Sequence, residues 1–264
     1  MRPPALFMAC RLAALAFFVP LAAPAQARWL NDTGITWSAN GTDTAAVCDA
    51  SHPAGQDCRQ GRDKDAADGE LAKTGGSTLN EGVANGFDYT KISNSGNPLP
   101  ASAALGTGAD DWACTRDNVS GLIWEVKTTS GLRNQNHTYT WYDPNSPDGY
   151  WGTDNGGTCE TSGRCDTQKY VQDVNTATLC GASDWRMPTA KELFGINDLG
   201  RFPISQTFDP GYFPNSNTSY VYWSGQPYAG GNQDEAWVTV LNMGLMVTTG
   251  RYNAGAVRLV RHGQ

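Results

Sequence analysis

The sequence predicts an α+β domain made of two short helices, a twisted antiparallel sheet and long loops, stapled by disulfides. Three observations predict it. Two central stretches pair a helix-start signal with apolar residues at helical spacing. From Tyr220 onward the chain breaks into four strand-like runs separated by turns. Six cysteines, an even number, follow an N-terminal export segment.

The export segment comes first. Arg2 is followed by an apolar stretch over Ala5–Ala23, broken by Arg11, and then by the small-x-small site Ala25-Gln26-Ala27. Residues 1–27 are therefore expected to be a signal peptide cut after Ala27. The run is too short and too rich in small residues to anchor, and no later run reaches spanning length, so no membrane insertion is expected. Residues 28–111 read as a loop-rich extension with short strands, punctuated by Gly75-Gly76, Asn85-Gly86 and Asn94-Ser95-Gly96-Asn97-Pro98. The main domain is expected over 112–264.

Within it, Leu122–Val126 follows a glycine turn and reads as a strand, as does Tyr139–Tyr142. Thr167–Cys180 reads as a helix, with Asp166 or Thr167 as N-cap, Tyr170, Val171 and Val174 on the buried side, and Gly181 just past its end. Thr189 and Glu192 form a capping box for a second helix over Ala190–Asp198, with Leu193, Phe194 and Ile196 facing inward and Gly200 closing it. The strands Tyr220–Ser224, Ala236–Leu241, Leu245–Thr249 and Ala256–Arg261 complete the chain.

The cysteines suit an oxidising compartment. Local spacing favours Cys48–Cys58 and Cys159–Cys165, each closing a short polar loop, which leaves Cys114–Cys180 as the long-range bridge. A zinc site or a catalytic thiol is the rival reading, but no cysteine pair has zinc spacing and His52, His137 and His262 are scattered. An extracytoplasmic location follows.

Charge narrows the partners. Cleavage removes two of the 19 basic residues and none of the 26 acids, so the net charge moves from −7 to −9. That excludes nucleic acid and anionic membrane surfaces as default partners. It leaves cations, surface proteins, and glycans held by hydrogen bonds and stacking; all nine Trp and ten Tyr lie beyond residue 27 to do the stacking.

Several constellations carry chemistry. Asp63, Asp65 and Asp68 before Gly69, and Asp143, Asn145 and Asp148 before Gly149, share an Asp/Asn alternation able to supply oxygens to calcium, the one cofactor suggested. The competing reading is a pair of solvated Asx turns, because no glutamate closes either loop. Asp184, Trp185 and Arg186, together with Thr189 and Glu192, read as a structural junction: an ion pair with an indole packed beneath the helix start. Tyr228, Gln233, Asp234, Asn242, Arg251, Tyr252 and Asn253 lie on C-terminal loops, where aromatic, amide and guanidinium groups make adaptable contacts; these are the candidate ligand-binding residues. No catalytic residue is assigned. There is no nucleophile elbow, no paired-histidine metal motif, and no carboxylate pair set apart from the rest.

Six motifs occur in a familiar order. They are Cys114-Thr115-Arg116-Asp117-Asn118-Val119-Ser120-Gly121-Leu122-Ile123-Trp124-Glu125, Ala177-Thr178-Leu179-Cys180-Gly181, Asp184-Trp185-Arg186-Met187-Pro188-Thr189 with Glu192-Leu193, Tyr222-Trp223-Ser224, Ala236-Trp237-Val238, and Val257-Arg258-Leu259-Val260-Arg261. Residues 112–262 thereby resemble the Lcl C-terminal domain family. The resemblance implies a C-type-lectin-like fold, related to the sulfatase-modifying-factor group, in an exported bacterial domain for adhesion or recognition; the member the family is named for is associated with binding glycosaminoglycan-type polysaccharide.

The chain departs from that pattern in several places. It has no collagen-like Gly-x-y array, and Leu259 stands where many relatives carry a cysteine. The EPN and QPD triplets of calcium-dependent lectins are missing. An acidic chain would need a local basic patch, with Arg251 and Arg258 in it, to hold a sulfated polymer. Cysteines used as disulfides argue against formylglycine-generating chemistry. The expected function is non-enzymatic recognition of a glycan or surface protein through the C-terminal loops; a structural subunit of a surface appendage is the alternative.

Overall fold

The computed structural model describes residues 31–35, 37–40, 42, 44–45, 51–53, 55–60, 62, 64, 86–201, 206–231 and 233–263. The expected signal peptide, Cys48 and the loop Asp63, Asp65, Asp68 lie outside the described residues. The fold is α+β with antiparallel sheets, as the sequence predicts, but the strands form several small sheets instead of one. A two-stranded ladder pairs β1 (Ser38–Ala39) with β2 (Thr44–Ala45). The largest sheet has the order β12-β6-β5-β3-β4 and contains β3 (Tyr89–Ser93), β4 (Pro98–Leu99), β5 (Trp112–Asp117), β6 (Leu122–Glu125) and β12 (Val260–His262). β7 (Tyr139–Thr140) pairs with β11 (Ala254–Gly255). The third sheet, order β10-β9-β8, is a meander of β8 (Val221–Pro227), β9 (Glu235–Val240) and β10 (Leu245–Gly250).

The largest sheet crosses the expected boundary at 111/112. β3 pairs antiparallel with β5, from Tyr89 opposite Asp117 to Ser93 opposite Trp112. Residues 87–99 therefore share the sheet of the main domain, and Phe87 and Tyr89 are buried in its core. β12 is shorter than expected. Residues 256–259 leave the ladder to reach other partners, Ala256 bridging to Tyr222 and the Leu259 amide donating to the Glu125 carboxylate at 2.9 Å.

Both helices form and both end early. In α1 (Thr167–Thr176) the Asp166 carboxylate accepts from the Lys169 amide at 2.9 Å. Thr178 and Cys180 then take left-handed backbone, φ 47° and 51°, which stops the helix short of Cys180. The departure carries Cys180 to Cys114, where the two are disulfide-bonded with Cα atoms 6.5 Å apart. The second bridge is Cys159–Cys165. Cys58 is disulfide-bonded too, and its partner lies outside the described residues.

α2 (Ala190–Phe194) has the full capping box: Thr189 Oγ1 accepts from the Glu192 amide at 3.1 Å, and the Glu192 carboxylate accepts from the Thr189 amide at 2.8 Å. It stops at Gly195 because the Asn197 side chain donates to the carbonyls of Leu193 and Phe194, taking the place of further helical turns. Leu193 and Ile196 are buried as expected; Phe194 instead turns toward solvent.

The junction before α2 is structural, with different pairings from those expected. Asp184 and Arg186 do not pair with each other. Arg186 holds both Glu192 oxygens, at 2.8 and 2.7 Å, and Asp184 accepts from Arg261 at 2.6 Å. Trp185 is buried between them, its indole donating to the Leu179 carbonyl.

Two apolar clusters make the core. One gathers Trp141, Trp185 and Trp223 around the Cys114–Cys180 bridge; the other is aromatic, with Trp124, Phe208, Phe213 and Tyr222. Buried charges lie with them. Glu125 accepts from Lys127 at 2.8 Å, from the Leu259 amide, and from the Tyr170 hydroxyl. Arg258 donates to the Glu125 carbonyl at 2.6 Å and to Ser216 at 2.8 Å. Burial by itself would raise the Glu125 carboxyl, but the Lys127 cation and these donors overcome it and hold the group below its usual range. Burial pushes Lys127 down to about 8, against the pull of Glu125.

Two outcomes follow. Replacing Cys114 and Cys180 by Ala frees a loop with a sequence separation of 66, and the chain-entropy relation gives a loss of about 4 kcal/mol, read as a lower urea midpoint. Glu125 has a depressed folded pKa, so its stabilisation is complete above the ordinary glutamate value of 4.5 and is lost as pH falls through the folded value. Glu125→Gln leaves Lys127 and Arg258 buried without their counter-charge; it should cost about 3–5 kcal/mol at neutral pH and flatten the acid limb of a stability–pH curve.

Candidate functional site

The candidate site forms where β10 ends. Gly250 closes the strand, and the Arg251 amide donates to the Asp234 carbonyl at 2.7 Å, which fastens the chain to the start of β9. The Arg251 side chain then runs inward, with no exposed surface. Its Nε donates to the Glu235 carbonyl at 3.0 Å, and its terminal nitrogens donate to the Tyr150 carbonyl and to both oxygens of Asp148. The guanidinium lies over the Trp141 ring, 4.3 Å from its centre, and 5.2 Å from that of Tyr150. Asp148 accepts in addition from Ser146 Oγ at 2.7 Å and from the Tyr150 amide at 3.1 Å. Burial works to raise the Asp148 carboxyl, but the hydrogen bonds from Arg251, Ser146 and Tyr150 prevail and hold it below the usual range.

This clamp folds the loop 143–152 against the end of the sheet. Gly152 makes the fit feasible: its φ is +82°, and a Cβ there would meet the Trp141 carbonyl at 2.2 Å. The loop presents Tyr150 and Trp151 to solvent, Trp151 being 54% exposed, while Tyr252, next to the buried arginine, is 64% exposed. Three large rings thus stand in water around a buried cation. Large exposed aromatics cost hydration free energy and are a usual mark of a contact surface.

The sequence-derived residues divide. Tyr228, Gln233 and Asp234 on the β8–β9 loop meet Arg251, Tyr252 and Asn253 at one end of the meander, through Arg251 N to Asp234 O and Tyr228 N to Glu235 O at 3.0 Å. Gln233, Asp234, Tyr252 and Asn253 are exposed there. The Tyr228 ring packs edge-on against Trp237 at 5.5 Å. Asn242 does not join them. It lies on the β9–β10 turn, and β9 and β10 pair over their whole six-residue length, so about 20 Å of strand separates it from Arg251.

Arg251 itself is a correction. Its place on a loop suggested an accessible cation, but its side chain is consumed by Asp148 and Trp141. Arg258 is buried as well, against Phe208 and Phe213. The basic patch that a sulfated ligand would need does not form from these two residues.

The loop Asp143, Asn145, Asp148 has the geometry of the Asx-turn reading. Asp143 accepts from the Asn145 amide at 2.9 Å, and Asp148 is taken by Arg251. Among the described residues no group of three His, Cys, Asp or Glu side chains could hold a metal ion. Sequence reasoning missed Tyr150 and Trp151; the signal was there, in two adjacent aromatics between Gly149 and Gly152.

Fold and site together define a disulfide-stapled α+β domain that offers an aromatic surface at one end of a small antiparallel meander. The Lcl C-terminal domain family matches residues 113–261, more than half of the chain, and the protein belongs to that family. No curated protein matches it. No helix among the described residues is long and apolar enough to cross a membrane.

The clamp makes a sharp distinction between its partners. Asp148→Ala leaves the Arg251 charge buried and unpaired, and should cost about 3–5 kcal/mol. Arg251→Met keeps apolar contact with Trp141 and frees only a carboxylate near the surface, so it should cost less. Both should raise amide exchange in 143–152. A loss on urea unfolding for Arg251→Met equal to or larger than that for Asp148→Ala would show that the buried cation is not the costlier orphan.

Proposed function

We propose that this protein is an extracytoplasmic, non-enzymatic recognition domain that binds an uncharged glycan on the rings of Tyr150, Trp151 and Tyr252. The observation that carries the reading is the set of exposed rings fixed by the buried Arg251–Asp148 clamp. The apolar C–H face of a sugar ring packs on an aromatic face, and a rigid backing keeps the ordering cost of binding low. Gln233, Asp234 and Asn253 stand at the same end to hydrogen-bond hydroxyls. Burial of Arg251 and Arg258 favours a neutral sugar over a sulfated one.

The family and its implied C-type-lectin-like fold agree with a recognition role. Disulfides support an oxidising compartment. All five described cysteines are disulfide-bonded, which weighs against thiol-dependent oxidation of the formylglycine-generating kind. The second reading, a subunit of a surface assembly, draws on the exposed apolar edge of β10 taken up below.

An array of neutral and sulfated glycans on the mature protein tests the reading. Neutral glycans should bind, and Trp151→Ala and Tyr252→Ala should each weaken binding about ten-fold or more with the unfolding midpoint unchanged. Binding confined to sulfated polymers, or affinity indifferent to both substitutions, sinks it.

A further inference from the structure

β10 is the outer strand of its sheet, and among the described residues nothing pairs with its far edge. Natural sheets guard such an edge with charge, proline, a bulge or a covering element. Leu245–Gly250 carries no charge and no proline, and its register with β9 runs unbroken over six pairs. Large apolar side chains stand on both faces over its first half, with Thr248 and Thr249 beyond them. Residues opposite one another share a face, so Met246 and Thr248 stand with Thr239 and Trp237, while Leu245 and Val247 stand with Val240 and Val238. On the first face α2 and the strand enclose an apolar groove of about 450 Å3, lined by Phe194, Trp237 and Met246. On the second, Leu245 is 49% and Val247 38% exposed.

Charge indicates the occupant. The exposed Lys191 lines the groove beside Leu245, at one end of β10. Glu235 pairs with Gly250 at the other end, two residues from Trp237 and so on the groove face; its carboxylate accepts from Thr248 Oγ1 at 2.6 Å, and a carboxylate can accept from a further donor as well. If two β10 strands meet antiparallel about a two-fold axis perpendicular to the sheet, like faces stay on the same side. The Leu245 end of one strand then lies beside the Gly250 end of the other. Lys191 of each copy approaches Glu235 of the second, and both pairs form by symmetry. Parallel apposition, about an axis along the strands, would exchange the faces and put Lys191 of one copy on the opposite side of the sheet from Glu235 of the other.

We propose that two copies of this chain associate antiparallel along β10, centred on Val247, to form one continuous sheet with three strands from each copy. Tyr252 follows β10 directly, so the two aromatic surfaces end up at opposite ends of the paired strands. If those surfaces bind glycan as proposed above, the dimer is bivalent; the association itself does not rest on that reading.

Sedimentation equilibrium of the ligand-free mature protein, from dilute to concentrated, tests it directly. A monomer–dimer equilibrium is expected, with amide protection of β10 rising with concentration. Val247→Lys places like charges opposite each other across the axis, and should give a monomer with an unchanged unfolding midpoint and unchanged single-site glycan affinity. Lys191→Glu should weaken dimerisation about five-fold, and Glu235→Lys added to it should restore it. A monomer at every concentration, outward-facing β10 amides protected in that monomer, or a dimer indifferent to Val247→Lys would each overturn the proposal.

Discussion

The Glu125 carboxylate is the group on which the rest of the domain depends. It is fully buried at the end of β6, and its donors are Lys127 beside it and two from distant parts of the sequence, Tyr170 of α1 and the Leu259 amide near the closing strand. Arg258 donates to the carbonyl of the same residue. A buried carboxylate is tolerable only when its lone pairs are satisfied, so each of these segments has one permitted position relative to the others. Such a network adds little net stability compared with an apolar replacement, but any arrangement that omits one donor leaves a buried charge exposed to the full desolvation penalty. The first and last of the family motifs, which end in Trp124-Glu125 and in Val257–Arg261, are therefore two halves of one interaction.

The same logic separates what was legible in the sequence from what was not. The α+β class, both helix starts and the bridge Cys159–Cys165 could be read because their signals are local: a capping residue, a period, a spacing; the long-range bridge Cys114–Cys180 followed as the remaining pair. Helix ends were harder. α2 stops where Asn197 caps its last carbonyls, and α1 stops at a left-handed Thr178; neither residue type announces that role. The join of β3 to β5 was hidden by the polar loops between them. The pairings of Asp184 and Arg186 were misjudged because each finds a partner that the triplet itself does not contain, Arg261 from the last strand for Asp184 and the capping-box Glu192 for Arg186.

The site shows the limit more clearly. That C-terminal loops would carry exposed Tyr, Asn and Gln was readable from composition. That Arg251 would vanish beneath them was not, since a loop arginine before an exposed tyrosine looks like two surface residues. Its burial depends on Trp141 and Asp148, roughly a hundred residues upstream, meeting the end of β10. The buried cation ties the aromatic surface together: Arg251 reaches the loop at Asp148 and at the Tyr150 carbonyl, so the backbone that carries Tyr150 and Trp151 is joined to the backbone that carries Tyr252 by one side chain.

The long reach of the Glu125 network also bears on the order of events as the chain emerges N-terminus first. β3, β5 and β6 appear early and can pair at once, but Glu125 then waits for Tyr170 and, much later, for Leu259. β12 adds to β6 only after residues 260–262 have emerged, and Arg186 pairs with Val260 at the same moment. Until then the half-made sheet holds an acid with too few donors, which water must satisfy. The network therefore closes only when its most distant donor segment, past every other strand of that sheet, has joined it.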